Sequence, residues 1–221
     1  MKKLINKKTV SGFATLIAFV IFTVLVLTVD VEPIGHGATS IGFATVNAHA
    51  LSLFGVSETW LTVTDILGLI PLMTAFAFAL VGAYQLIKRR SLGAVDKEII
   101  ALGILYFAVI VFYVFFELVI INYAPILKDG EVAASYPSSH TLLTVTVMIS
   151  GANMLCRYNL KPIIKHLIYF TAYFVIGFTV VGRLLAGVHW ATDIFASLIL
   201  SASLLLLFFG GLDAICKKEK I

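Results

Sequence analysis

Six runs of about twenty apolar residues dominate this chain of 221 residues, near 10–29, 61–87, 98–122, 138–156, 164–184 and 191–212. A hydrocarbon layer about 30 Å thick supplies no water to an open backbone, so runs of this length cross it as helices whose hydrogen bonds close internally. The chain is 60% hydrophobic and only 13% charged, with a mean hydropathy of +1.03. Soluble domains hold about 45–50% apolar residues. The expectation is an all-α polytopic membrane protein, a six-transmembrane-helix bundle in which residues 1–221 form one domain with no room for a soluble one.

The net charge of +4 is a topology signal rather than a nucleic-acid footprint. Fourteen of the sixteen basic residues fall at one face if six spans alternate: Lys2, Lys3, Lys7 and Lys8 before the first span, Lys88, Arg89, Arg90 and Lys97 between the second and third, Arg157, Lys161 and Lys165 between the fourth and fifth, and Lys217, Lys218 and Lys220 after the sixth. The positive-inside rule makes that face cytoplasmic and puts both termini there. Lys128 and Arg183 are the two exceptions and fall at the outer face. The first apolar run is longer than the about 7–15 residues of a signal-peptide core, which favours an uncleaved first span. Cys156 and Cys216 fall at cytoplasmic span ends, where reducing conditions disfavour a disulfide.

The longest connection is 30–60, and within it Ile41–Gly55 is apolar but too short to span comfortably. It suits an interfacial or re-entrant helix, either lining a lateral entrance for a lipid or packing passively over the bundle. Pro71 is expected to kink the second span. Asp65, near that span's outer end, is expected to cap or to face water.

The chemistry lies in two polar islands at span borders. In GRLLAGVHWATDI, Arg183, His189 and Asp193 sit where charge is rare; a charged side chain at the bilayer centre costs about 2.5–3.5 kcal/mol on insertion scales. His189 and Asp193, four apart, share one helix face. A carboxylate holding one imidazole nitrogen leaves the other as nucleophile or base, and the plain alternative is a border ion pair. Arg183, six residues before the histidine, adds a fork suited to phosphate oxygens. The other island is Tyr136-Pro137-Ser138-Ser139-His140. Pro137 and the two serines suit the start of a helix whose first-turn N–H groups and positive dipole end attract an anion, and His140 is placed to protonate a leaving oxygen. Helix capping alone is the competing account.

Together these islands resemble two motifs of the type 2 phosphatidic acid phosphatase superfamily, the membrane lipid phosphate phosphatases. YPSSH resembles P-S-G-H, and GRLLAGVHWATD resembles S-R-x5-H-x3-D; with the six spans, the resemblance covers nearly the whole chain. It implies that His189 attacks phosphorus and becomes transiently phosphorylated, that Asp193 orients it, and that His140 protonates the leaving lipid oxygen and later helps to activate water. It also implies that Arg183 and the Ser138–Ser139 backbone hold phosphate oxygens, with no metal and no cofactor.

The chain departs from the family's remaining motif, K-x6-R-P. In the register that ends at Pro125, Glu117 and Ala124 stand where lysine and arginine belong, Ser139 replaces glycine, and Gly182 replaces serine. Each lost charge-assisted hydrogen bond is worth about 1.5–3 kcal/mol, and Lys128 is the nearby cation able to substitute. The resulting expectation is a bacterial-type plasma-membrane phosphatase, active at the outer face on a lipid phosphate or pyrophosphate, with membrane lipids as its other partners and no nucleic acid. The substrate's identity and the oligomeric state are left open. A second reading is a catalytically weakened relative that binds or moves a phospholipid. A channel or transporter bundle would place its polar residues mid-membrane rather than at the border.

Overall fold

The computed structural model describes residues 6–127 and 130–218. The described residues form eight α-helices: α1 (Lys7–Thr28), α2 (Ala44–Phe54), α3 (Glu58–Leu67), α4 (Leu69–Arg89), α5 (Lys97–Leu118), α6 (Ser139–Leu155), α7 (Pro162–Leu185) and α8 (Ala191–Lys218). Among the described residues, five segments are long and apolar enough to cross a membrane: Lys7–Thr28, Glu58–Arg89, Lys97–Leu118, Pro162–Leu185 and Ala191–Ile215. The expected fourth span is present as α6, but its 17 residues rise only about 26 Å, short of a full crossing.

The short helix is the centre of the bundle. Eleven of its residues are buried, Thr141, Thr144, Thr146 and Ser150 among them, because α4, α5, α7 and α8 pack around it. Polarity is inverted relative to a soluble protein: hydroxyls sit inside, while Phe13, Ile17 and Ile21 of α1 and Phe107, Ile110 and Val114 of α5 are exposed, as lipid-facing side chains are. With no hydrophobic drive between helices in lipid, close packing and interhelical hydrogen bonds hold the bundle. α1 lies along α8, Ser203 Oγ donates to the Gly12 carbonyl (2.9 Å), and a Cβ at Gly12 would stand 2.8 Å from Leu207. Asn6 caps α1 by accepting from the Thr9 N–H and donates to the Gly210 carbonyl.

The second span is interrupted close to its proline. It breaks at Gly68, between α3 and α4, and Pro71 occupies the first turn of α4. Pro71 has no N–H for the Leu67 carbonyl, so the ladder is interrupted there in any case, and a first-turn proline costs nothing further. At the far end of α4, Arg89 and Gln85 clamp Asp96 before α5: Arg89 Nη1 lies 2.6 Å from Oδ1 and Gln85 Nε2 lies 2.8 Å from Oδ2. Those hydrogen bonds, Arg89's foremost, hold the Asp96 carboxyl below its ordinary range.

The segment 41–55 forms the 11-residue α2, docked against the start of α8. Buried Asn47 fixes it, donating from Nδ2 to the Gly42 carbonyl (2.8 Å) and to Thr192 Oγ1 (2.9 Å), while its Oδ1 accepts from the Thr192 N–H (3.2 Å).

Candidate active site

Three stretches of chain converge where α6 and α8 begin. The α5–α6 connection folds back on itself: the Ala124 N–H donates to the Ala133 carbonyl (2.9 Å), and the Ser135 N–H to the Asn122 carbonyl (3.0 Å). Tyr136, stacked on Phe19 and edge-on to Phe116, pins the returning strand with a 2.7 Å hydrogen bond between its hydroxyl and Thr23. Burial pushes the Tyr136 phenol up, reinforced by the nearby Asp193 charge, so the hydroxyl keeps its proton.

Asp193, the third residue of α8, is fully buried and receives two donors. Its Oδ2 accepts from the Trp190 N–H (3.0 Å), which is the reach-back of a capping box, and its Oδ1 accepts from Asn122 Nδ2 (3.0 Å). Its main-chain carbonyl accepts from the Ser138 N–H (3.2 Å), locking the first turn of α6 to that of α8. Ser197 Oγ lies 2.9 Å from both the Asp193 and Ser138 carbonyls.

His189 Nδ1 lies 3.0 Å from the Ser135 carbonyl and 3.9 Å from Asp193 Oδ2. The hydrogen bond from this ring therefore goes to a backbone carbonyl, and the carboxylate stands beside it at ion-pair distance. A carbonyl can only accept, so Nδ1 carries the proton and the lone pair of the neutral ring resides on Nε2. The turn that delivers His189 depends on Gly187. Its φ is +68°, and a Cβ there would stand 2.7 Å from Val56 Cγ2.

Arg183 ends α7 almost completely buried, with Nη1 2.8 Å from Asp65 Oδ1 and 3.2 Å from Thr64 Oγ1. Its Nε is buried with no hydrogen-bond partner among the described residues. His140 Nε2 lies 3.4 Å from the same Asp65 oxygen. Asp65 is thus not merely a cap or a water-facing residue. It joins the arginine and the first-turn histidine, a role signalled in the sequence only by its being an acid at a span border.

The structure therefore gathers the expected residues into two groups that meet at the start of α6. One holds His189, Asp193, Asn122 and the Ser135 carbonyl; the other holds Arg183, His140 and Asp65. Ser139 lines a narrow cleft with His189, Ser135, Tyr113, Phe116 and Glu117, and His140 follows it directly. Glu117 thus shares a cleft with His189, whereas Ala124 is buried in the hairpin backbone. Ser138 is fully buried. Its N–H is committed to Asp193, and its hydroxyl donates to Thr141 Oγ1 and accepts from the Thr141 N–H. Lys128 lies outside the described residues. No group of three or more His, Cys, Asp or Glu side chains among the described residues is placed to hold a metal ion.

The family described as the PAP2 superfamily matches residues 113–214, from the end of α5 through α8, and so takes in both groups apart from Asp65. That stretch resembles the PAP2 superfamily. No curated protein sequence matches it. Its fold is similar to that of a crystal structure described as the first transmembrane PAP2-type phosphatidylglycerolphosphate phosphatase from Bacillus subtilis. The TM-score is 0.59 at 18% identity, covering 95% of this chain and 96% of that one. An integral membrane protein with the fold of a PAP2 family member is the result.

Proposed function

We propose that this membrane protein is a phosphatase that removes a phosphoryl group from a lipid phosphate or pyrophosphate through a phosphohistidine intermediate. The observation that carries this reading is the hydrogen bond from His189 Nδ1 to the Ser135 carbonyl, which leaves the lone pair on Nε2 at a ring lining the cleft beside Ser139. The match of residues 113–214 to the PAP2 superfamily supports the phosphatase class, and the phosphatidylglycerolphosphate named for the structural relative is one lipid phosphate of the type proposed here.

Nε2 attacks phosphorus as the bond to the lipid oxygen breaks, and His140 gives that oxygen its proton. The Asp193 charge offsets the positive charge that develops on the phosphorylated ring, and Asn122 and the Trp190 N–H hold the carboxylate in place. His140, now neutral, takes a proton from water as the water oxygen bonds to phosphorus and the P–N bond breaks. Phosphate leaves and His189 regains its lone pair. Arg183 and the first-turn amide of Ser139 hold phosphate oxygens; Ser138, with both donors committed inside the protein, acts by fixing α6 to α8. Lys128 is the further phosphate-binding cation proposed from the sequence. The positive-inside distribution supports an outer-face site with both termini in the cytoplasm.

Purified His189→Ala should release no phosphate from a lipid phosphate and should lack the acid-labile phosphoenzyme that rapid quench traps in the unmodified protein. His140→Ala should slow a lipid substrate far more than an activated aryl phosphate, whose leaving group needs no proton. Full turnover in His189→Ala overturns the mechanism.

A second reading, a weakened relative that binds or moves a phospholipid, draws on the Glu117 carboxylate in the cleft and on the engagement of Arg183 by Asp65. It requires a bound lipid phosphate to be recovered intact after long incubation with the unmodified protein.

A further inference from the structure

We infer that Asp65 determines specificity by competing with a substrate phosphate oxygen for Arg183 and His140. The inference rests on the phosphatase reading only in assigning phosphate to these two side chains. One carboxylate oxygen stands against both of them: it accepts from Nη1 of Arg183, at the end of α7, at 2.8 Å, and lies 3.4 Å from Nε2 of His140, in the first turn of α6. A guanidinium and an imidazole that converge from different helices on one anionic oxygen describe the place a phosphoryl oxygen would take.

The chemistry of each partner supports exchange rather than a permanent strut. The Asp65 side chain is about half exposed (53%), so its carboxylate can turn into water without losing solvation. Arg183 cannot follow, because it is buried to 7% exposure and braced by Thr64 Oγ1. Its fork is not saturated either, since Nε is buried without a partner among the described residues. A guanidinium presents several donors in a plane and suits a tetrahedral anion with several oxygens better than the single carboxylate oxygen it holds here.

The approach of Asp65 depends on a neighbouring residue. A Cβ at Gly182 would collide with Thr64 Cγ2 and stand 3.1 Å from Trp60, so the absence of a side chain at residue 182 lets α3 pack closely beside Arg183. That is the position where the resembling motif carries serine. The site thus gains a carboxylate through Gly182, while Glu117 and Ala124 bring no cation to offset it. A phosphate must displace Asp65 against like charge, and a dianion is opposed more strongly than a monoanion.

The test is direct binding of inorganic phosphate, dianionic at pH 8, to the purified full-length protein in detergent. Asp65→Asn keeps the shape and removes the charge, and should tighten phosphate binding about tenfold or more. Glu58→Gln makes the same charge change on an exposed residue of the same helix and should leave affinity unaltered. Gly182→Ala retains Asp65 but pushes Thr64 away, and should shift affinity in the same direction as Asp65→Asn even if that variant folds poorly. Equal, weaker or absent phosphate binding in both variants overturns the inference. Tighter binding without phosphate release from any lipid in the unmodified protein would sustain it while removing the phosphatase reading.

Discussion

The residue that most repays perturbation is Asn122, because a fully buried carboxylate depends on it. Asn122→Ala removes the donor to Asp193 Oδ1 and should lower unfolding stability by about 1–3 kcal/mol, read as a drop in the denaturation midpoint, with a parallel loss of turnover. Asn122→Asp should be worse, since it sets a second carboxylate against the first in a dry setting. An unchanged midpoint in either variant would show that Asp193 has other support. Gly187 is the second exposed point at this scale. Alanine there combines a left-handed backbone with a contact on Val56, so Gly187→Ala should destabilise by about 1–3 kcal/mol and displace His189, whose turn it makes.

Among the elements, α2 is the one whose position the chain could have arranged otherwise. Its eleven residues are too few to hold themselves helical in isolation, and Asn47 supplies the polar contacts that dock it on α8. Asn47→Ala should raise amide hydrogen exchange across 44–54 by more than tenfold while leaving α6 protected, since the lost hydrogen bonds are buried. Uniform exchange in both helices would mean that α2 is not a separable unit. The α4–α5 turn makes a different forecast. Asp96 titrates below its unfolded value, so its contribution is complete at neutral pH and disappears as pH falls through the lowered folded value. Proteolysis near 90–95 should therefore be slow at pH 7 and faster in Asp96→Asn at the same pH.

For the whole molecule the central question is sidedness. Lys8 pairs with Asp213 at 2.9 Å and Arg157 with Glu98 at 3.7 Å, so the first helix's start, the last helix's end and the α6–α7 turn share the basic end of the bundle. The Arg183, His140 and His189 groups lie at the other end. With the native cysteines replaced, a cysteine at Glu131 should react with an impermeant thiol reagent in intact cells, and one at Lys161 should react only after permeabilisation. The opposite pattern would place the site in the cytoplasm.

Much of this was written in local pattern. Long apolar runs specify helices in a membrane because the backbone has no other donor or acceptor there, and all six runs are helical in the structure. The residues His140, Arg183, His189 and Asp193 stood out because charge and imidazole at span borders are costly. Other features depended on contacts between residues far apart in the chain. Period and hydropathy did not mark α6 as short and central, because its enclosure comes from four neighbouring helices. They did not show that His189 bonds the Ser135 carbonyl rather than Asp193, a choice made by the fold of the α5–α6 hairpin. Nor did they bring Asp65 to Arg183, 118 residues away, which rests on the close crossing of two helices that the glycine at 182 permits. Sequence alone determined the membrane, the helices and the chemical types at the border. Tertiary structure decided which of those groups hold one another, because hydrogen bonds and ion pairs depend on distances of a few tenths of an ångström that only packing sets.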